Sequence, residues 1–286
     1  MTSSTLLLGA VAYDPKVVTI WEGFRAWFAD RDFDFDYVMF SNYERQVDAH
    51  LAGEIDVAWN SPLAWVRTRR AAQARGQQAH AVAMRDSDCD LTSVVVVRTD
   101  SGFDDPSDLK GATVGVGAVD SPQATLLPLS HLRSLGLWPG DDVTIRRFDA
   151  LAGKHGDHIG GERDAARALM AGDIDAACMI DGNHLLFGRE GTLPPGTTKV
   201  IAQTGAYDHC NFTVIGDARV PKIEQFVSLL LGMSYDDPEV RPLLDLEGLK
   251  EWRVGRIELY APLERAVDES AFYDGEGNVV AVDYRP

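Results

Sequence analysis

A chain of 286 residues with 27 Lys and Arg against 44 Asp and Glu has a formal net charge of -17, which speaks against nucleic acid or an anionic membrane as partner. Its apolar and charged fractions, 45% and 25%, are those of a globular protein long enough for two domains. Cys89, Cys178 and Cys210 form no CxxC spacing and support neither a disulfide framework nor a zinc motif, and no apolar run reaches membrane-spanning length.

In chain order, residues 6–11 are an apolar run ended by the turn Tyr13-Asp14-Pro15, a first buried strand. No basic region precedes the run and no small-residue cleavage site follows it, so it does not read as a signal peptide. A cytoplasmic protein is expected, or a periplasmic or extracellular one if a leader has been removed. Residues 17–28 have helical periodicity, and 33–39 alternate apolar and acidic side chains as a strand with one exposed face does. Ser41 with Glu44 three residues on is a capping-box pattern for a helix over 43–51. Pro62 opens a helix over 63–74, and 79–84 and the valine-rich 93–98 read as strands. A strand at 112–116, a helix at 124–135 and a strand at 143–148 lead to the glycine-rich 153–161, the most loop-like segment of the chain. A helix over 162–170 and a strand at 198–203 follow. A strand at 212–216, expected to pair with 93–98, precedes helices at 221–233 and 238–244 and a tail that wraps back over the first lobe.

Two distant segments say nearly the same thing. Ala52-Gly53-Glu54-Ile55-Asp56-Val57-Ala58 is echoed by Ala171-Gly172-Asp173-Ile174-Asp175-Ala176-Ala177. In each, a Gly closes a helical run, apolar residues form a short buried strand, and a polar bend follows, Asn60-Ser61-Pro62 or Asp181-Gly182-Asn183. The repeat implies two Rossmann-like α/β lobes joined by two crossing strands, with a ligand cleft between them. Lobe one takes residues 1–90 and 217–286 and lobe two 91–216, with hinge segments near 87–93 and 207–213. Ligands of open α/β sheets bind beyond the carboxyl ends of the strands, which makes the two bends candidate site loops.

This order of elements resembles the phosphate/phosphite/phosphonate-type solute-binding proteins of ABC transporters, in the type 2 periplasmic-binding superfamily. The carriers are Tyr43, the run from Gly53 to Pro62, the strand at 93–98, Asp108-Leu109-Lys110-Gly111, Asp120-Ser121 before Pro128, Arg163-Asp164-Ala165-Ala166, and the run from Gly172 to Ala176, spread over residues 6–265. The resemblance implies two lobes clamping a small ligand, with an ABC permease as partner. In the family a Ser/Thr-rich turn with a Gly holds phosphonate oxygens; here that turn reads Ser121-Pro122-Gln123-Ala124-Thr125, which keeps two hydroxyls and a helix N-terminus. Arg163 is of a type that serves a carboxylate or phosphate. The family often has an aromatic residue where Asp90 stands.

Candidate ligand contacts are Tyr13, Tyr43, Asn60, Ser61, Asp90, Ser121, Gln123, Thr125, Arg163, Asp164, Asp181, Asn183, His209 and Asn211, with Trp59 read as core. His155 and His158 with Glu162 have a spacing a metal could use, but a solvated Gly-rich loop is the plainer reading, and no metal is expected. Cys210 next to His209 is not read as a nucleophile pair, because adjacent residues on a strand point to opposite faces. No P-loop, GxGxxG or nucleophile elbow occurs, so no cofactor is expected. The leading function is a solute-binding protein for a phosphonate-, phosphate- or carboxylate-bearing ligand. The alternative is a cytosolic enzyme of lyase, dehydratase or biosynthetic type on the same fold, as menaquinone-pathway and thiamine-precursor enzymes are. There His209 would act as general base, oriented by Asp90 or Asp208. The oligomeric state is open.

Overall fold

The computed structural model describes residues 5–157 and 159–286, so His158 lies outside the described residues. The chain opens with β1 (Leu6–Val11), α1 (Lys16–Ala29), β2 (Phe35–Phe40), α2 (Tyr43–Leu51), β3 (Val57–Asn60), α3 (Pro62–Ala74) and β4 (Ala79–Arg85). It crosses over for β5 (Ser93–Arg98), β6 (Thr113–Val116), α4 (Leu127–Ser134), β7 (Thr144–Arg147), α5 (Gly160–Ala171), β8 (Ala176–Ile180), α6 (Asp181–Glu190) and β9 (Thr198–Gln203). It then returns for β10 (Asn211–Ile215), α7 (Pro221–Leu231), α8 (Arg241–Glu247), β11 (Trp252–Val254) and α9 (Ala261–Ser270).

Two sheets result, in the orders β11-β4-β10-β3-β1-β2 and β7-β6-β8-β5-β9, each the centre of an α/β lobe. They follow one plan. β1 pairs in parallel with β2 and β3, as β6 does with β7 and β8. β10 then lies antiparallel to β3, and β5 antiparallel to β8. The strand after the return crossing therefore sits inside the first sheet, between β3 and β4, and does not pair with β5 as expected. Each of these strands is buried and needs cover on both faces, and its own lobe supplies it. The crossing segments themselves meet in one antiparallel bridge, where Leu91 and Tyr207 exchange N–H···O bonds of 2.8 Å.

The sequence echo is a structural one. Gly53 and Gly172, after α2 and α5, take φ of 74° and 78°, the left-handed region that glycine enters without a Cβ penalty. Asp56 N donates to Leu7 O at 2.8 Å and Asp56 Oδ2 accepts from Leu7 N at 2.8 Å. Asp175 N donates to Thr113 O at 2.9 Å, and Asp175 Oδ2 accepts from Thr113 N at 2.8 Å. Ile55 packs on Gly9 and Ile174 on Gly115 so closely that a Cβ at either glycine would collide with the isoleucine Cδ1. The aspartate locks the incoming strand to the first strand of its lobe, and the isoleucine fills the space that the glycine leaves.

Lobe one closes on an aromatic core in which Trp21, Phe24, Phe28, Phe212 and Phe226 are all buried. In lobe two the valine run of β5 serves both faces, Val95 and Val97 on one cluster and Val94 and Val96 on the other, the period of two that a central strand requires. A further cluster joins the lobes: Leu63 and Trp65 of α3, Leu126 and Leu127 at the start of α4, Val267 of α9, and Tyr284 of the tail. The tail lies over lobe one, where Arg67 Nε donates to Gly277 O at 3.1 Å, and continues onto lobe two, where Asp283 pairs with Arg147.

Candidate functional site

Local signals set the site's scaffold. Asn42, not Ser41, caps α2, accepting from Arg45 N at 2.9 Å. That leaves Glu44 one position inside the helix start, turned into the protein and 6% exposed. Ser61 caps α3, with Ala64 N donating to its Oγ at 3.1 Å. Before α4, residues 122–126 wind as one wide π-helical turn, in which Leu126 N reaches back five residues to Ser121 O at 3.0 Å. Such turns concentrate at functional sites, and this one carries Gln123 into the cleft.

The glycine-rich loop ahead of α5 does not sit in solvent. Asp120 Oδ2 gathers Gly153 N at 2.6 Å and His155 N at 3.0 Å, and Gln123 Nε2 donates to Gly156 O at 2.6 Å, which anchors the loop on lobe two. The same loop grips lobe one. His155, 0% exposed, stacks on Tyr43 with ring centroids 4.7 Å apart. Its Nδ1 lies 2.6 Å from Ser61 Oγ and its Nε2 3.0 Å from Glu44 Oε1. Lys154 Nζ donates to Ala12 O at 2.9 Å and also to Ser41 O, and Tyr43 OH donates to Asp157. Burial pushes the Glu44 carboxyl up, but the His155 ring and hydrogen bonds outweigh it and hold the group at about 2. The lobes are clasped.

Beneath the clasp lies a cavity of about 240 Å³. Lobe one contributes Tyr13, Trp59, Arg85, Ser87 and Asp88; lobe two Gln123, Gly156, Asp157, Ile159, Ile180 and Asn183; the crossings Leu91, His209 and Cys210. These positions lie at or beyond the carboxyl ends of β1, β3, β4, β6, β7 and β8 or flank the crossings, where open α/β sheets bind ligands. Arg85 holds Asp88 through Nε and Nη2 at 2.5 and 2.9 Å and reaches Glu247 Oε1 at 3.1 Å. Burial raises the Asp88 carboxyl, yet Arg85 overrides it and holds the group at about 2. Glu247 is pushed up to about 7 by burial, with Arg85 opposing. Asp157 is raised by burial. Behind Asn183 the buried Glu162 is pushed up to about 7, again by burial, against hydrogen bonds from Asn183 Nδ2 at 2.8 Å and Ile180 N at 3.0 Å. A larger hollow of about 780 Å³ opens on lobe one near His50, Asp56 and Lys222. It lies at the amino end of β3, is walled by one lobe, and its charges close on each other through Lys222 and Asp56 at 2.7 Å; the interlobe cavity is the better site.

Of the sequence candidates, Tyr13, Gln123, Asn183 and His209 line the cavity. Tyr43 and Ser61 belong to the clasp around it. Asn60 and Asn211 are fully buried in lobe one, spent on Thr213 and Gln46 and on Tyr260 and Thr213. Ser121 caps its turn and Thr125 Oγ1 donates to Ala118 O at 2.7 Å, while the Gly156 backbone packs on the Ser121 hydroxyl. Ser121 Oγ thus accepts from the backbone and Thr125 Oγ1 donates to it. Arg163 faces away onto Glu190 at 2.8 Å, Asp164 pairs with Arg167 at 3.1 Å, and Asp181 accepts from Thr92 Oγ1 at 2.8 Å.

The catalytic set read from the sequence is not assembled. Asp90 and Asp208 both face Arg256, at 2.8 and 2.6 Å, and Asp88 is the carboxylate 3.4 Å from His209 Nδ1. His209 and Cys210 do touch, Nδ1 to Sγ at 3.1 Å, because β10 begins only at Asn211 and strand alternation does not govern them. One ring nitrogen faces both Sγ and Asp88, and burial pushes the Cys210 thiol well above its usual range, so this is no activated nucleophile. Asp88, His209 and Cys210 place ligand atoms within 4.8 Å of one another, but a metal there would have to displace the Arg85 guanidinium from Asp88. Arg85, Asp88 and Asp157 escaped sequence reading. The polar run Asp86-Ser87-Asp88 at the first crossing was the signal for Asp88; nothing local marked Arg85 or Asp157.

The chain matches the sequence profile of the ABC transporter phosphonate periplasmic substrate-binding proteins over residues 10–260. That description is of periplasmic proteins and gives the cytoplasmic expectation no support. Among solved structures, PhnD1 from Prochlorococcus marinus with methylphosphonate is 17% identical, with a TM-score of 0.66 over 93% of this chain and 98% of that one. A Xanthomonas citri protein bound to ATP is 18% identical, with a TM-score of 0.68 over 93% and 99%. A binding-protein component of an ABC phosphonate transporter from Pseudomonas aeruginosa is 13% identical, with a TM-score of 0.60 over 92% and 85%. These likenesses show the two-lobed type 2 fold, and the profile match across most of its length makes the chain a member of the phosphonate substrate-binding protein family of ABC transporters.

Proposed function

We propose that the chain is a solute receptor that closes on one small polar ligand in the cavity between its lobes and presents it to an ABC permease. One observation carries the reading: a cavity sized for a small molecule is walled by both lobes and both crossings, and a lobe-two loop latches onto lobe one above it. Closure over a ligand by hinge motion is what two crossings permit. Among the described residues no helix is long and apolar enough to cross a membrane. Within the family, phosphonate-, phosphate- and carboxylate-bearing compounds are the class to test first. The cavity's own acid–base set, with Asp88 tied to Arg85 and Cys210 protonated, gives the enzymatic alternative no support.

Trp59 lines the cavity, and its emission reports on occupancy. Titrating the full chain with a panel of such compounds is expected to change tryptophan emission saturably with a one-to-one endpoint, each compound being recovered unaltered. Chemical alteration of a bound compound, or no saturable response together with no small molecule released on mild denaturation, counts against the receptor reading.

A further inference from the structure

A smaller hollow, of about 170 Å³, lies outside the cleft between α4 and α9. Ser130, His131 and Ser134 of α4 and Arg265 of α9 line it together with Thr204 and Gly205, the two residues after β9. It shares no residue with the interlobe cavity. Because α4 belongs to lobe two and α9 follows the last strand of the lobe-one sheet, the hollow spans both lobes from the outside. In a chain with a net charge of -17 this lining carries no carboxylate; its ionisable groups are Arg265 and His131. The acids of α9 are turned to other cations: Glu264 pairs with Arg69, Asp268 with Arg70 at 2.7 Å and Glu269 with Arg133 at 3.8 Å. Arg265 is exposed, and among the described residues it has neither an ion pair nor a hydrogen bond.

The remaining lining is rich in donors. Among the described residues neither ring nitrogen of His131 nor the Ser130 hydroxyl has a hydrogen-bond partner. Thr204 Oγ1 accepts from Ser93 N at 2.9 Å, which leaves its proton to give, whereas Ser134 Oγ donates to His131 O at 2.6 Å and is spent. A guanidinium, an imidazole and two hydroxyls therefore approach one space from α4, from α9 and from the segment after β9. Charge-assisted bonds to an anion are roughly twice as strong as neutral ones, and nothing acidic in the lining competes for them. Burial lowers the His131 ring below its usual range; an oxyanion beside it opposes that shift and favours the protonated form.

We propose that the groove between α4 and α9 binds a tetrahedral oxyanion of phosphate or sulfate size, received by Arg265 and His131 with the Ser130 and Thr204 hydroxyls completing its shell. Donors from three directions match oxygens that point several ways better than the two coplanar oxygens of a carboxylate. Held there, the ion links a helix of each lobe from outside the cleft. The inference does not rest on the receptor reading.

The test follows the His131 ring of the full chain by NMR, its resonance assigned as the one absent from His131→Gln. Sodium sulfate is titrated at about pH 6, where histidine can take up a proton, against sodium chloride at matched ionic strength. The His131 resonance is expected to move saturably with sulfate and not with chloride. Arg265→Ala is expected to weaken the sulfate response at least about tenfold without lowering the thermal midpoint. Sulfate that entered the cleft and disturbed His131 from a distance would act equally on the Arg265 variant, so an unchanged response there overturns the proposal. A response shared by chloride, or none to sulfate, overturns it as well. If Arg265→Ala does not fold, Ser130→Ala takes its place with a weaker sulfate response expected and an unchanged one overturning. None of these outcomes bears on the cleft, which the tryptophan titration tests separately.

Discussion

Glu162 is 2% exposed, at the start of α5, and burial pushes its carboxyl up to about 7. The folded protein thus favours its protonated form. That stabilisation is complete below the ordinary glutamate value of 4.5 and is lost as pH rises through about 7. The thermal midpoint of the ligand-free chain is expected to fall between about pH 5 and about pH 8, and Glu162→Gln is expected to flatten part of that slope in differential scanning calorimetry. Glu247, raised to about 7 by the same burial, keeps the remainder. An identical slope in the variant would place the effect elsewhere. At this scale the sequence was a poor guide. Tyr13, Gln123, Asn183 and His209 were legible as polar residues at strand ends. Arg85 and Asp157 were not, since their meaning depends on partners brought from other elements.

The element that repays attention is the helix–strand unit that occurs twice. Its second copy sets Ile174 against Gly115 and binds Thr113 N through Asp175 Oδ2. Gly115→Ala would drive a methyl into Ile174 Cδ1, with Phe148 close on the other side, and is expected to cost about 1–3 kcal/mol in urea denaturation. Gly182→Ala, where a Cβ meets nothing within 4 Å, is the control and is expected to lie within about 0.5 kcal/mol of the parent. Equal midpoints for the two variants would show that the glycine approach carries no packing constraint. The repeat was readable because it is local: a glycine at positive φ, an apolar pair and an aspartate lie within seven residues of one another. The loop ahead of α5 was misread for the converse reason. Its glycines and histidines have the composition of a solvated loop, while Asp120, Tyr43, Ser61 and Glu44, which bury it, come from three other elements.

Across the whole molecule, the clasp and the C-terminal tail act on the same gap. Tyr284 is 1% exposed in the cluster that joins α3, α4 and α9, its OH lies 3.4 Å from His155 Nε2, and Asp283 pairs with Arg147 on lobe two. A chain ending at Ala281 loses these links and leaves His155 less covered. It is expected to show a lower thermal midpoint and, by small-angle scattering without ligand, a larger radius of gyration than the full chain. An unchanged radius would mean that the loop at 153–157 holds the lobes together without the tail.

The sequence by itself determined the two α/β lobes, most helices and strands to within a few residues, and the family, because these follow from short-range periodicity, glycine and proline punctuation, and motif order along the chain. Only the tertiary structure decided where β10 pairs, which way the glycine-rich loop faces, and which charges meet across the cleft. Strand pairing answers to burial on both faces, and the balance of Asp88 against Arg85 and the Tyr43 hydroxyl set on Asp157 exist only once distant segments share one low-dielectric space.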